Sequence, residues 1–175
     1  MCLFNLGAGL LDIRNAHLDD VNHIHAIQAS CYEIQYLEHA NSFASKINKA
    51  AQSCWIAEMN GHVIAYLICL PVNAHTFPAL NASDFEQCDT PTLLYLHDLA
   101  VHADYRDVGA GQQLIKHALD FAKQQHFDHI GLVAVQGSTK YWQKQGFEVR
   151  SAMLHGLNKK VASFGTDAVF MQQQL

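Results

Sequence analysis

The sequence contains no long hydrophobic run, few charged residues and little positive charge. Of its 175 residues 15% are charged, and 11 Lys and Arg against 16 Asp and Glu give a formal net charge of −5. No stretch approaches the roughly 18 consecutive apolar residues of a membrane span. The basic residues are scattered singly, so no surface is expected that could neutralise many phosphates. These absences argue against a membrane protein and against nucleic acid as a partner.

Clustered metal or disulfide ligands are also missing. The 5 cysteines are odd in number and form no C-x-x-C pair, which argues against a disulfide framework or a zinc knuckle. His23 and His25 stand two apart and would point to different faces of a helix, with no acidic or Cys partner at ligand spacing. The start of the chain lacks the positive residues of a secretion signal. We therefore predict a cytoplasmic protein with reduced thiols and no metal site.

Half of the residues are hydrophobic, which is typical of a folded domain with a sizeable core. The length and the lack of repeats or linkers predict a tail at residues 1–9 and one domain at residues 10–175. Hydrophobic periodicity predicts an α/β fold with a mixed sheet and one parallel crossover. The predicted elements are a strand at 12–14, helices over 18–31 and from Ser42, strands at 54–59, 62–70 and 93–101, a helix at 112–125, a strand at 130–135, a helix at 139–144, a strand from Phe147 and a last strand at 168–171.

Two of the segments that connect these elements have a conformation that the sequence predicts. Asn60-Gly61 supplies the positive φ angles of a tight hairpin between the second and third strands. Residues 71–91 contain all 3 prolines and are predicted to be a long irregular loop. Loops of this length are often binding loops, although a plain surface excursion fits the sequence equally well.

A glycine turn separates the strand at 93–101 from the helix that follows. Gly109 and Gly111 allow the backbone to approach an anion closely, and the helix N-terminus attracts negative charge. The pattern is too short for the dinucleotide fingerprint G-x-G-x-x-G and lacks the Lys-Ser/Thr of a P-loop. A nucleotide-binding domain is therefore disfavoured, and an ordinary tight turn is the simpler alternative to an anion site.

Three motifs in this order resemble the GNAT superfamily of acetyl-CoA-dependent N-acetyltransferases. They are the strand Leu96-His97-Asp98-Leu99-Ala100-Val101, the turn Arg106-x-x-Gly109-x-Gly111, and Tyr141-Trp142-x-x-x-Gly146-Phe147 some thirty residues later. The resemblance extends from the first strand to the last. It implies a GNAT fold, with a mostly antiparallel sheet and a splayed parallel strand pair flanked by helices.

The resemblance also implies the binding site for acetyl-CoA as cosubstrate. Backbone amides of the turn would hold the pyrophosphate, the strand at 93–101 would hold the pantetheine arm and the acetyl carbonyl, and the later helix would line the thioester end. The residues carried over in this way are Leu99, Ala100, Val101, Arg106, Asp107, Val108, Gly109, Ala110, Gly111, Gln112, Gln136, Ser138, Tyr141 and Trp142.

This sequence departs from the family pattern at two places. Asp107 and Val108 stand where a small and a basic residue are common, which puts a carboxylate near the phosphates. Trp142 stands where many members have the tyrosine that protonates departing coenzyme A. Tyr141 is adjacent but points about 100° away on a helix, and a thiolate of pKa about 8.5 can leave without a strong acid.

Transfer to an amine needs a group that accepts a proton, and His97 is the candidate base. A histidine pKa near 6.5 suits proton acceptance at neutral pH, and His97 resembles the strand histidine proposed as a base in the arylalkylamine branch. Tyr95 replaces the second histidine of that branch, on the same side of the strand by period-two alternation. Asp98 is expected to face the other way unless a bulge intervenes. The alternative for His97 is a buried histidine bonded to backbone.

The resemblance therefore implies an enzyme that moves acetyl from acetyl-CoA to a primary amine by direct attack in a ternary complex. A small-molecule acceptor is favoured over a protein N-terminus or lysine, and Tyr32, Tyr36 and the loop at 72–90 are expected to shape its pocket. A non-catalytic acyl-CoA-binding or sensing module is the alternative. An exposed C-terminal strand would favour a homodimer, as in many relatives, although nothing in the sequence requires one.

Overall fold

The computed structural model describes residues 10–150 and 157–175 as a seven-stranded sheet with helices on both faces. The strands are β1 (Leu11–Asn15), β2 (Cys54–Met59), β3 (His62–Val72), β4 (Leu93–Val101), β5 (His129–Ala134), β6 (Glu148–Val149) and β7 (Val169–Gln174). The helices are α1 (Val21–Cys31), α2 (Ala40–Lys49), α3 (Ala110–Gln124), α4 (Thr139–Lys144) and α5 (Asn158–Ala162).

The order of strands across the sheet is β1-β2-β3-β4-β5-β7-β6. Within the described residues β4 and β5 pair in parallel, and all other neighbouring strands pair antiparallel. The crossover between β4 and β5 runs through α3, as a parallel connection requires. The predicted mixed, mostly antiparallel sheet with one parallel pair is confirmed.

The two faces of the sheet carry separate cores. On one face, apolar residues of α1 and α2 such as Ile24 and Phe43 pack on Tyr66 of β3. On the other face, Leu114 and Ala118 of α3 pack against the sheet together with Trp142 of α4. Alternate residues of β3 point to opposite faces, so nearly the whole strand from Ile64 onward is buried.

The predicted hairpin joins β2 to β3. Asn60 and Gly61 have φ angles of 53° and 78°, the left-handed conformation that an Asn-Gly turn supplies at little cost. The strand β3 runs through Pro71 to Val72, two residues beyond the predicted end. Residues 73–92 then form the expected loop without strand or helix.

Helix starts differ from the prediction by two or three residues. The predicted helix over 18–31 is a 3₁₀ turn at Leu18–Asp20 followed by α1. The helix α2 begins at Ala40 rather than Ser42, and α3 begins at Ala110 rather than Gln112. Gly109 at the start of α3 has φ 80° in the left-handed region, so the glycine turns the chain into the helix immediately. Gly111 therefore lies inside the first helical turn instead of the preceding loop.

The C-terminal part confirms α4 at its predicted bounds and shows α5, which the sequence analysis did not predict. The strand β7 extends to Gln174 and lies between β5 and β6. The C-terminal strand is therefore not the exposed edge on which the homodimer expectation rested. The predicted tail at residues 1–9 lies outside the described residues. Within the described part of the chain, none of the helices combines the length and apolar character that a bilayer crossing needs.

Candidate active site

A cavity of about 330 Å³ opens where β4 and β5 separate. The strands pair from Leu93 and His129 to Leu96 and Leu132, and beyond that point they diverge. The predicted site residues that line the cavity are His97, Leu99, Val101, Gly111, Gln136, Ser138, Tyr141 and Trp142. The structure thus brings together residues from β4, α3, α4 and the segment that connects β5 to α4.

The edge of β4 that faces the gap presents backbone N–H groups. The carbonyl of Leu99 accepts a hydrogen bond from the Tyr32 hydroxyl at 2.7 Å, and the carbonyl of Val101 accepts one from the Cys31 thiol at 3.1 Å. Because the N–H and C=O of one strand residue point to the same edge, the N–H groups of Leu99 and Val101 also face the gap. Ala100 is paired with Tyr66 of β3 and does not line the cavity, contrary to the expectation.

A β-bulge in β4 determines which side chains reach the site. Ile68 of β3 pairs with Asp98 and the next residue, Cys69, pairs with Leu96, so His97 is the extra residue. A bulge interrupts the alternation of side chains, and Asp98 consequently contacts Tyr66, which belongs to the same core as Tyr95. A bulge therefore does intervene, and Asp98 lies on the same face of the sheet as Tyr95.

Asp98 is held by three donors. The Tyr66 hydroxyl lies 2.7 Å and the Gln28 amide 3.2 Å from Oδ2, and the Tyr32 hydroxyl lies 2.9 Å from Oδ1. Burial raises the pKa of Asp98 above its usual range despite these bonds. Burial and the neighbouring Asp98 also raise the pKa of both tyrosines well above 10, so both hydroxyls keep their hydrogens at neutral pH. The single Tyr32 hydrogen is shared between Asp98 Oδ1 and the Leu99 carbonyl. The carboxyl is therefore occupied by the protein itself.

His97 and Tyr95 lie on the same face, as predicted, but in different surroundings. His97 lines the cavity, but its side chain is only 1% exposed, and its Nε2 lies 3.0 Å from Oε1 of Glu38. Tyr95 is fully buried and does not line the cavity; its ring stacks on Phe77 at a centroid distance of 4.8 Å. Its hydroxyl has no hydrogen-bond partner among the described residues. His97 therefore lies at the cavity wall with its ring almost fully buried, whereas Tyr95 lies outside the cavity.

The glycine turn brings the N-terminus of α3 to the cavity. Gly111 lines it, whereas Arg106, Asp107 and Val108 have exposed side chains on the turn that precedes the helix. The first N–H groups of a helix, here from Ala110 through Gln112, have no partners within the helix and carry partial positive charge. Side chains of the turn are thus directed to solvent, and its backbone remains the group suited to an anion.

Tyr141 and Trp142 occupy different positions, as their 100° separation on α4 requires. Trp142 is 9% exposed and packs edge-on against Phe147 at 5.5 Å. Tyr141 is 40% exposed, and its hydroxyl lies 3.7 Å from where a Cβ on Gly111 would be. Burial raises the pKa of Tyr141 above its usual range. Trp142 belongs to the core and also lines the cavity. The Tyr141 hydroxyl lies beside the start of α3.

The cavity is also lined by Tyr32, Tyr36 and, from the loop at 72–90, Leu80, which are residues expected to shape an acceptor pocket. Gln28, Glu38 and Phe164 also line it and were not predicted. One signal for this region exists in the sequence of α2. Its buried stripe at positions 42, 43, 46 and 47 includes Ser42 and Lys46, and a lysine on a buried face requires an acidic partner.

Comparison with known proteins agrees with this geometry. The model of the acetyltransferase (GNAT) family matches residues 20–147, about three quarters of the chain. The chain belongs to the acetyltransferase (GNAT) family. The resemblance noted from the sequence motifs is confirmed, and the protein is an acyltransferase. No curated protein matches this GNAT chain by sequence.

Solved structures share the fold at low identity. The loading GNATL domain of CurA from Lyngbya majuscula has a TM-score of 0.75 at 10% identity, with 94% of this chain and 98% of that chain covered. The ribosomal-protein-S18-alanine N-acetyltransferase from Escherichia coli has a TM-score of 0.66 at 15% identity, with 94% of each chain covered.

A third structure is N-acetylglutamate synthase from Neisseria gonorrhoeae complexed with coenzyme A and N-acetyl-glutamate. Its TM-score is 0.65 at 16% identity, with 95% of this chain and 35% of that chain covered. By their names, one of these proteins acetylates a protein and another acetylates an amino acid. The GNAT fold alone therefore does not define the acceptor.

Proposed function

We propose that this GNAT protein transfers an acetyl group from acetyl-CoA to the primary amine of a small molecule, by direct attack in a ternary complex. The observation that carries the proposal is the position of His97. His97 lines the same cavity as Leu99 and Val101, whose N–H groups point toward the gap beside β4. A proton acceptor and hydrogen-bond donors for a carbonyl oxygen therefore meet in one enclosed space.

The residues present fit an extended acyl-CoA. A side chain at Gly111 would project its Cβ toward Val101 and Tyr141, with its nearest atoms at 3.4 and 3.7 Å, so the bare glycine leaves room along β4. The N-terminal amides of α3 suit a pyrophosphate. Leu99 and Val101 would bind carbonyl oxygens through their N–H groups, and Gln136, Ser138, Tyr141 and Trp142 would surround the thioester end. When bound, acetyl-CoA supplies an activated acyl group.

The chain's own groups then account for the remaining requirements of the reaction. His97 would take the proton that the amine loses as its nitrogen bonds to the acetyl carbon. The N–H groups of β4 would stabilise the negative charge that develops on the carbonyl oxygen. The carbon–sulfur bond breaks, and the coenzyme A thiolate leaves without an obligatory acid because its pKa is about 8.5. No cysteine lies within the three family motifs, and the Cys31 thiol donates to the Val101 carbonyl, which supports direct transfer rather than an acetyl-cysteine route.

The size of the cavity supports a small acceptor. At about 330 Å³ it lies at the lower end of the roughly 300–1,000 Å³ range of small-molecule pockets. Tyr36, Leu80 and Phe164 line this cavity and would contact the acceptor. Because the same cavity would also admit the acetyl end of acetyl-CoA, its volume favours a small amine over a polypeptide segment.

The test is thiol release from acetyl-CoA across small amines, amino acids, polyamines and peptides, with mass spectrometry of the product. Calorimetric titration of acetyl-CoA accompanies it. Amide formation on a small amine supports the proposal, and formation only on peptides replaces the acceptor class. Binding without transfer on any acceptor favours a sensing module, and no binding of acetyl-CoA contradicts the site itself.

A further inference from the structure

The His97 ring is one end of a buried network of charges that the sequence motifs do not include. Glu38 lies in the segment before α2, is 2% exposed in its side chain, and accepts hydrogen bonds at both oxygens. Its Oε1 lies 3.0 Å from His97 Nε2 and 2.6 Å from the backbone N–H of Asn81. Its Oε2 lies 2.9 Å from Lys46 Nζ and 3.2 Å from the Ser42 hydroxyl.

These contacts keep Glu38 ionised. Burial opposes ionisation, but the hydrogen bond from His97 and the charge and hydrogen bond of Lys46 hold the pKa of Glu38 well below its usual range. Four donors point at one carboxylate, and a protonated carboxylic acid could not accept from all of them. The site therefore contains a full negative charge one hydrogen bond away from the imidazole.

Lys46 balances that charge. Its side chain is fully buried, and Nζ contacts Glu38 Oε2, the Ser42 hydroxyl and the carbonyl of Ala82 at 3.0 Å. An ammonium group has three N–H donors, and each has an acceptor here. Glu38 and Lys46 thus form a closed ion pair of zero net charge beside the cavity.

The ion pair fixes the tautomer of His97. An ionised carboxylate can only accept, so His97 Nε2 must carry the hydrogen that is donated to Glu38. In the neutral ring Nδ1 then carries a lone pair. Nδ1 is buried and has no hydrogen-bond partner among the described residues, and the ring lies directly behind the cavity wall to which His97 contributes. The nitrogen left free is therefore a proton acceptor.

Other titratable groups near the ring are few. On β4 itself these are Tyr95, whose ring centroid lies 5.7 Å away, and Asp98, which is bonded to Tyr66 of β3 and to Tyr32 and Gln28. Phe164, which follows α5, contacts the ring and does not titrate. Without Lys46, the ring would face the Glu38 charge and the Asp98 carboxyl with no balancing cation, and a carboxylate at this distance favours imidazolium.

We propose that Glu38 and Lys46 are positioning residues for acetyl transfer: Glu38 orients His97 with Nδ1 free, and Lys46 cancels the Glu38 charge so that the ring stays a neutral base. The inference rests on the proposed function, because it specifies how the proposed base is prepared. Neither residue needs to touch the acceptor or acetyl-CoA. Both act through His97.

The first test needs no substrate. The full chain, labelled with ¹⁵N-histidine, is titrated by NMR, and His97 is assigned among the 12 histidines from the spectrum of His97→Gln. We expect a neutral Nε2–H tautomer at pH 7.5. A hydrogen on Nδ1, or a charged ring at that pH, would overturn the inference whatever the outcome of the activity assays.

The second test compares two variants with opposite charge effects. Lys46→Met leaves a carboxylate without its cation beside His97, whereas Glu38→Gln leaves an ammonium without its anion, so the two variants should move the titration midpoint of the ring in opposite directions, up and down respectively. Where acetyl transfer is measurable, the acidic limb of kcat/KM should follow the same shifts. A purely structural role would lower both activities without shifts in opposite directions.

Lys49→Met is the matched control, since Lys49 lies on the same helix and pairs with the partly exposed Asp84. It should leave the His97 midpoint unchanged. If Lys46→Met does not fold, the His97 midpoint is compared between Glu38→Gln and the double variant Glu38→Gln/Lys46→Met. The midpoint should be lower in Glu38→Gln than in the double variant, and equal midpoints would overturn the proposal. Loss of transfer with these NMR results intact would count against the proposed function alone.

Discussion

The Tyr141 hydroxyl lies 3.7 Å from the position that a Cβ on Gly111 would occupy. The start of α3 and a side chain of α4 are therefore separated by a narrow gap. Val101 of β4 completes this narrow part of the cavity, at 3.4 Å from the same point. Both distances are ordinary van der Waals contacts. A methyl group would fit the protein here but would occupy space that an acyl-CoA arm would need.

Gly111→Ala should therefore separate stability from binding. Alanine suits a helical position better than glycine by up to about 1 kcal/mol, so the Tm should stay the same or rise. Affinity for acetyl-CoA, measured by calorimetry, should fall because the methyl group narrows the slot. An unchanged affinity would contradict the path proposed for the acyl-CoA arm.

Gly109→Ala is the matched control and should behave in the opposite way. Gly109 has open space around its Cβ position but a φ of 80°, which costs an L-residue about 1–2 kcal/mol. Thermal unfolding should show a lower Tm. Any loss of acetyl-CoA affinity should be smaller than in Gly111→Ala at temperatures where the protein is folded.

Tyr141→Phe tests whether departing coenzyme A needs an acid. The hydroxyl lines the cavity, but the thiolate can leave unaided at its pKa of about 8.5. We expect kcat to change by less than about threefold, whereas loss of a general acid costs on the order of 10²–10⁴. Steady-state kinetics with the best acceptor measures this. A hundredfold loss would assign the acid role to Tyr141.

Tyr95→Phe tests the role that the family resemblance implied for Tyr95. The hydroxyl is buried without a partner among the described residues, and a buried unsatisfied polar group costs about 1–3 kcal/mol. Its removal should leave the free energy of unfolding unchanged or increased, and kcat unchanged. A variant that folds normally but has lost acetyl transfer would restore Tyr95 as a catalytic residue.

The Glu38–Lys46 pair predicts a pattern in stability. Lys46→Met leaves Glu38 buried without its cation and should cost about 3–5 kcal/mol, whereas Glu38→Gln/Lys46→Met should recover much of this loss because buried ion pairs can be replaced by neutral groups. Urea unfolding at pH 7 measures both. Equal destabilisation of the single and the double variant would contradict a coupled pair.

The same pair predicts a pH dependence. The pKa of Glu38 is lowered in the folded protein, so its stabilising effect is present above the unfolded pKa of about 4.3 and is lost as the pH falls further. Between pH 5 and pH 3 the wild type should lose more free energy of unfolding than Glu38→Gln/Lys46→Met. Parallel losses would show that Glu38 does not carry this dependence.

Local patterns in the sequence predicted the frame of the site. The Asn60-Gly61 turn, the bounds of β4 and α4, and the order of strand, glycine turn and helix depend on neighbouring residues, and the structure confirms them. Three family motifs then placed the cavity in the splay between β4 and β5.

The chemical detail of the site depends on contacts between residues far apart in the chain. The bulge at His97 arises from the pairing of β4 with β3. The order of apolar and polar residues in the sequence of β4 does not reveal it. Glu38 precedes His97 by 59 residues, and Lys46 is buried against both Glu38, in the segment before α2, and Ala82, in the loop between β3 and β4. Lys46 on the apolar stripe of α2 was the one available signal, and it could not name its partner.

The most direct test of the account is the rate of amide formation in wild type and in His97→Ala, with acetyl-CoA affinity measured on the same samples. The account predicts a loss on the order of 10²-fold or more in turnover at neutral pH, the usual contribution of a general base, with the dissociation constant of acetyl-CoA unchanged. A His97→Ala enzyme that forms the amide at the wild-type rate would contradict the account.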